Sequence, residues 1–398
     1  MLNRNFPVQI LVEFRLLGKV PIKAPDIPIN DLRRLYGLHE RSIEDIVLST
    51  LRSGKWLNGP HAKALQSKIE TWLNVSACIP VANGTDALEL AMQGILQVRG
   101  PTGREVITVA NAGGYATTAC RLNDLLPVYV DIEETSQLIS IPSVLSALSS
   151  DTALIVTTHL YGGVVDVVKL RAAVDDAGFP GIAILEDCAQ AHGARLGDRA
   201  VGSLGDIAAF SFYPTKNLGA MGDAGAVVTS DAELAACVSD LHQYGWRMKY
   251  RVERAGGRNS RMDEIQAAIL EMRLSYLPKS NAERLRILSC YREAAGKSLS
   301  IVDGGPGAVV HLAVLRTTAR DALRDHLMKR GIATDVHYPI LDFDQPGWRH
   351  LPMRLAPGGL SVSRRSVQEI TTIPCFEGMT EDEIQRIASA LRDWCKVP

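Results

Sequence analysis

From Glu40 onward the chain alternates two kinds of hydrophobic pattern. Ile43, Ile46, Val47 and Leu51, then Ala64, Leu65, Ile69 and Trp72, recur at three- and four-residue intervals, the mark of an apolar helical face. Gly54 and the run Asn58-Gly59-Pro60 separate the two helices so predicted. Further along, unbroken apolar runs replace the periodic ones, at 105–110, 126–131, 153–159, 182–187, 207–212 and 225–229. Stretches of helical character, 141–148 and 167–177, lie between them. Continuous Val/Ile/Ala runs alternating with helices predict a mostly parallel sheet covered on both faces. In such sheets ligands gather at the carboxyl ends of the strands.

Near Val81 a short strand passes into Asn83-Gly84-Thr85-Asp86 and a helix predicted over 87–98, where Asp86 and Glu89 have the spacing of a capping box. A helix is also expected from 232 to about 244. It leads into a basic segment, 246–251, that reads as irregular, and Gly256-Gly257-Arg258 interrupts any helix until Met262. From about Pro278 the pattern is that of a smaller α+β unit: helix 281–295, strand 308–315, helix 320–330 and a last helix 381–394. The expected organisation is an N-terminal extension, 1–24, a large domain, 25–278, and a small C-terminal domain, 279–398.

Composition narrows the class. The 398 residues are 46% apolar and 22% charged, with 43 Lys and Arg against 44 Asp and Glu. These are the proportions of a globular enzyme, and no clustered basic footprint points to nucleic acid. Cysteines at 78, 120, 188, 237, 290, 375 and 395 form no CxxC pair, and no metal-ligand spacing occurs, so reduced thiols in a cytoplasmic protein without a metal are expected. The apolar patch in 1–20 is broken by Glu13 and Arg15, which argues against a signal peptide or a membrane span.

The chemistry centres on Ser211-Phe212-Tyr213-Pro214-Thr215-Lys216-Asn217-Leu218-Gly219-Ala220. Lys216 follows an apolar run and precedes Gly219, Gly222 and Gly225, so it is expected on a tight loop leaving a buried strand. The run 182–187 ends in Glu186-Asp187. A lysine able to form a Schiff base and an aspartate able to partner a pyridinium nitrogen are the two groups that pyridoxal 5′-phosphate (PLP) needs from a protein. Consecutive strand residues point to opposite faces, so only one of the two carboxylates can face such a ring. Gly84 and Thr85, at a helix start, are placed to hold a phosphate, although a plain cap fits the same residues.

Glu186-Asp187-Cys188-Ala189-Gln190-Ala191-His192-Gly193, Gly202-Ser203-Leu204-Gly205-Asp206, the Lys216 segment and Asn259-Ser260-Arg261-Met262-Asp263-Glu264 together resemble the DegT/DnrJ-type aminotransferases, from about Pro28 to the C-terminus. The resemblance implies PLP-dependent fold type I, with a seven-stranded-type, mostly parallel sheet between helices. It implies that Lys216 carries the cofactor, that Asp187 meets the ring nitrogen and Gln190 the phenolic O3′. Gly84, Thr85 and Ser211 would hold the phosphate, joined by Asn259 from a partner subunit in a homodimer. Tyr115 would stack on the pyridine face, and a packed surface tyrosine is the other reading. Gly113-Gly114 departs from the family's pattern just before it, as does Ala224, where many relatives have glycine.

His337 and Tyr338 are candidates for the sugar pocket or for a structural role. His159 and His192 lie beside the motifs, as substrate contacts or as histidines satisfied by local groups. The implied activity is amino transfer from L-glutamate, through pyridoxamine phosphate, to a nucleotide-linked keto-sugar. The combination of Gly219-Ala220-Met221-Gly222-Asp223 with Asn259-Ser260-Arg261-Met262-Asp263-Glu264 most resembles the branch acting at C3 of dTDP-3-keto-6-deoxyhexoses. Amination at C4, a keto-cyclitol substrate, and a non-catalytic sugar-nucleotide binder are the alternatives.

Overall fold

The computed structural model describes residues 25–100, 103–296 and 299–396; the N-terminal extension expected over 1–24 lies outside them. Eight strands form the main sheet among the described residues: β1 (Ala77–Val81), β2 (Glu105–Val109), β3 (Leu126–Val130), β4 (Thr152–Thr158), β5 (Ala183–Asp187), β6 (Ile207–Ser211), β7 (Gly225–Thr229) and β8 (Arg354–Leu355). They are arranged in the order β1-β7-β6-β5-β4-β2-β3-β8. The five inner pairings from β6 to β8 are parallel, and β7 runs antiparallel to both β6 and β1. The seven expected strands are therefore joined by an eighth of two residues, too short to leave a pattern in the sequence.

Both faces of the sheet are covered, which is why the strands read as unbroken apolar runs. Val106, Leu154, Val156 and Leu185 pack against helix α1 (Gly84–Arg99). Ile107, Ile155 and Ile184 project from the other face, towards Leu160, Val167 and Leu170. Helix α1 starts three residues before the sequence suggested. Its cap is Asn83, whose Oδ1 accepts from the Asp86 N–H at 2.8 Å, and no capping box forms at Asp86. Asp86 instead accepts from the Ser260 hydroxyl, and Glu89 pairs with Arg258.

The double glycine before helix α2 (Tyr115–Leu122) is explained by its backbone. Gly113 and Gly114 have φ of 81° and 82°, and a Cβ on either would press on the rings of Tyr338 or Trp348. The basic segment expected to be irregular is a small hairpin, Trp246–Met248 with Arg251–Val252, whose turn carries Tyr250 at φ 70°.

Helix α3 (Leu277–Ala295) crosses the division expected near 278, because Pro278 fits in a first helical turn. Leu277 belongs to the core beneath Lys216, whereas Ile287 and Tyr291 belong to the C-terminal core. Ile27 also joins that second core. Its antiparallel sheet orders Ser300–Ile301, Ala313–Arg316 and Ile370–Ile373. The strand expected over 308–315 is confined to Ala313–Arg316, because the preceding residues bond to a turn in the main domain. The Val309 N–H donates to the Gly162 carbonyl at 3.0 Å, and the His311 N–H to that of Tyr161 at 2.9 Å.

Candidate active site

Strands β5 and β6 end side by side, and α1 begins over them. Glu186 and Asp187 separate there as alternation requires. Glu186 is fully buried and accepts the N–H groups of Gly202, Leu204 and Gly205 at 3.0, 2.7 and 2.7 Å, and lies 3.0 Å from His159 Nε2. It thus fixes the 202–205 turn. His159 takes the Val165 N–H on Nδ1, so it is a structural histidine tied to Glu186, not a substrate contact. His192 is fully buried between Phe210 and Phe212, and burial lowers its pKa to about 3.

Asp187 lies on the α1 face. Its Oδ1 accepts from the Ala189 N–H at 3.1 Å and its Oδ2 from the Thr158 hydroxyl at 3.3 Å. Burial raises its pKa, opposed by the Ala189 N–H and the nearby Lys216 ammonium. Lys216 shows the reciprocal effect: burial lowers its pKa to about 8, although Asp187 pulls it upward. The Lys216 loop is pinned by the Lys216 N–H to the Tyr213 carbonyl at 2.8 Å and the Ala220 N–H to that of Phe212 at 2.7 Å.

Two cavities meet at this lysine. The first, of about 370 Å³, is lined by Asn83, Gly84, Thr85, Asp187, Ser211 and Lys216, with Tyr115 and Asp223 at its side. A Cβ on Gly84 would stand 2.4 Å from the Ser211 Cβ, so only glycine lets the helix start approach the strand end this closely. Unpaired first-turn N–H groups, a serine hydroxyl and a positive helix end suit a phosphate, while Asp187 and Lys216 suit the two ends of a substituted pyridine. The residues present fit PLP. The second cavity, of about 310 Å³, shares Tyr115, Tyr213 and Lys216 with the first and adds His311, His337, Tyr338 and Thr372.

Tyr115 is half-exposed, its ring set edge-on to Tyr338 at 6.2 Å. Gln190 stands behind the wall: its Oε1 accepts from the Tyr161 N–H at 2.7 Å and its Nε2 donates to the Tyr338 hydroxyl at 3.2 Å. Both ends of the amide are engaged by protein, so in this geometry Gln190 positions two tyrosines. His337 Nδ1 lies 2.9 Å from the Thr372 hydroxyl. Asn259 is exposed and lines neither cavity; its Oδ1 accepts from Arg261 Nε at 2.9 Å, and the Ser260 hydroxyl, which takes the Ala82 N–H at 3.2 Å, holds the segment against α1. Asp223, Tyr213 and His311 were not singled out from sequence. Asp223 lay within a recognised motif, whereas His311 carried no local signal.

A lysine and an aspartate at the strand ends of a mostly parallel sheet, facing a helix start shaped for phosphate, define the PLP-dependent enzymes of fold type I. Comparison supplies the family: the DegT/DnrJ/EryC1/StrS aminotransferase family model matches residues 39–392, and the chain belongs to that family. The dTDP-3-amino-3,4,6-trideoxy-alpha-D-glucose transaminase of Micromonospora megalomicea subsp. nigra is 34% identical over 366 residues, which span 90% of this chain and 96% of that protein. Among solved structures, DesV of S. venezuelae in complex with a ketimine intermediate superposes with a TM-score of 0.87 at 33% identity, over 94% of this chain and 100% of that one. NtdA of Bacillus subtilis, with bound cofactor PMP, gives 0.83 at 26% identity, over 93% and 85%.

Proposed function

We propose that this aminotransferase uses PLP to move an amino group from L-glutamate to a nucleotide-linked keto-sugar, at C3 of a dTDP-3-keto-6-deoxyhexose, in deoxyaminosugar biosynthesis. It works as a cytoplasmic homodimer. The observation that carries the reading is the position of Lys216, on the shared wall of a cavity suited to PLP and a second cavity large enough for a sugar ring. The C3 assignment is supported by the relative from Micromonospora, whose name specifies a 3-amino sugar. Among the described residues no helix is long and apolar enough to cross a membrane.

When bound, PLP supplies the electron sink that stabilises negative charge on the substrate carbon. The chain's own groups do the rest. Asp187 holds a carboxylate where a protonated ring nitrogen can pair with it, which restores the charge that burial disfavours. Gly84, Thr85 and Ser211 would hold the phosphate, and Asn259 of a second copy would add to that contact. The Lys216 amine, with its pKa lowered to about 8, is partly neutral near neutral pH and can carry a proton to and from the substrate carbon. Tyr115 closes one side of the space between the cavities.

The purified protein should be yellow, and L-glutamate should bleach the colour. Lys216→Ala should lose at least ~10³-fold in turnover while remaining folded, since it removes the group that both carries the cofactor and moves the proton. A panel of keto-sugar nucleotides, with products read by mass and NMR, distinguishes C3 from C4 amination and from a keto-cyclitol substrate. Colour that persists with every amino donor would sink the catalytic reading in favour of a binding protein.

A further inference from the structure

The second cavity contains one side chain whose proton position is fixed by atoms far from it in sequence. The His192 carbonyl can only accept, so the Asn281 amide group 2.8 Å from it is the NH2, and Asn281 turns its Oδ1 towards Asn217. The Val310 carbonyl likewise can only accept. The Asn217 NH2 therefore donates to Val310 at 3.0 Å and to Asn281 Oδ1 at 2.8 Å, and Asn217 Oδ1 remains as an acceptor. Opposite that oxygen, 3.1 Å away, is His311 Nδ1, which must carry the hydrogen. In the neutral ring Nε2 is then a bare lone pair. His311 lines the cavity beside Lys216, and no donor among the described residues meets Nε2. Burial, reinforced by Lys216, Arg284, His192 and His337 around it, keeps the imidazole pKa well below its ordinary value, so a second proton is disfavoured.

We propose that His311 is a specificity-determining residue that accepts, on Nε2, a hydrogen bond from a ring hydroxyl of the sugar held beside Lys216. The inference rests on the sugar-nucleotide reading. A fixed acceptor on an enclosed wall welcomes a hydroxyl and repels a carboxylate or carbonyl oxygen. It therefore favours, at that position of the sugar ring, a hydroxyl over a keto or carboxylate oxygen. Asn217 and Asn281 act through His311 and are positioning residues.

The test uses the PLP-loaded protein labelled with 15N-histidine and two probes, dTDP-glucose and dTDP. The His311 signals are identified by their loss in His311→Phe, or in His311→Gln should the first variant not fold. At neutral pH, Nε2 should have the shift of an unprotonated imidazole nitrogen. It should move when dTDP-glucose saturates the protein and stay still with dTDP. In titration calorimetry, His311→Phe should bind dTDP-glucose about five- to tenfold more weakly and dTDP unchanged, the loss of one hydrogen bond. A protonated Nε2, or a signal unmoved at saturation, overturns the proposal and leaves the sugar-nucleotide reading intact. A wild-type protein that binds neither probe, and aminates no keto-sugar nucleotide, overturns both.

Discussion

Lys216 and Asp187 share one low-dielectric site, and each is pushed towards its neutral form by burial while the other resists. Schiff-base formation needs the neutral amine, so the rate at which apoprotein takes up PLP should rise with pH through about 8 and then level off. A rate still climbing towards the pKa of an ordinary lysine would show that Lys216 is not buried in the free protein. A second carboxyl makes a prediction about stability. Asp342 lies under the start of α2, with Oδ2 accepting from the Thr117 hydroxyl at 2.6 Å and Oδ1 buried with no well-formed hydrogen bond among the described residues, and burial raises its pKa to about 7 against the opposing pull of Thr117 and the Gly114 N–H. That is above the value near 4 of an unfolded aspartate, so the folded state holds the proton more tightly. Its contribution is complete below pH ~4 and is lost as pH rises through about 7. Asp342→Asn should be more stable than wild type by about 1–3 kcal/mol at pH 8, with no such gain at acid pH, as read by urea denaturation. An equal effect at both pH values would remove the buried charge as the cause.

At the scale of elements, the phosphate cup depends on how closely α1 approaches the end of β6. Gly84→Ala would set a methyl 2.4 Å from the Ser211 Cβ and 2.9 Å from its hydroxyl, forcing helix and strand apart. PLP should then be lost on dialysis, with affinity reduced at least ~10-fold, while the melting temperature changes far less, because the strain is local. Retained affinity would place the phosphate elsewhere. Which elements were legible in the sequence follows from the same packing. Strands β2 to β7 were readable because both their faces are covered, Asp187 because it ends such a run, and Lys216 because it sits in the glycine-rich loop that follows one. Ile370–Ile373 was not, since Thr371 and Thr372 look polar although sheet pairing buries both. The cap of α1 was misplaced because Asp86 and Glu89 imitate a capping box while serving Ser260 and Arg258. His311 was invisible: its role depends on Asn217, 94 residues away, and through it on Asn281. No window of sequence contains that relay.

For the whole molecule the decisive matter is whether one chain makes one active site. Among the described residues the two cavities have Lys216 as their only lysine or arginine, while Asp187 and Asp223 are acids, so these walls supply little positive charge for a phosphate and a nucleotide diphosphate. Asn259 is exposed, and Arg261, half-buried with its guanidinium over the Tyr244 ring, lies near the hairpin that carries Arg247, Lys249 and Arg251. In the proposed homodimer, Asn259 serves the other copy. Asn259→Ala should then weaken PLP binding about tenfold or more, the scale of one lost charge-assisted contact, and at limiting PLP the variant should be nearly inactive. Lys216→Ala should be inactive at any PLP concentration. Co-expressed, the two variants form a mixed dimer in which one site has Lys216 from one chain and Asn259 from the other, and its second site lacks both. Random pairing makes about half of the dimers mixed, with one working site in two, so activity should return to about a quarter of wild type. Activity no higher than the sum of the separate variants would mean that Asn259 acts within its own chain, and that each subunit is complete alone.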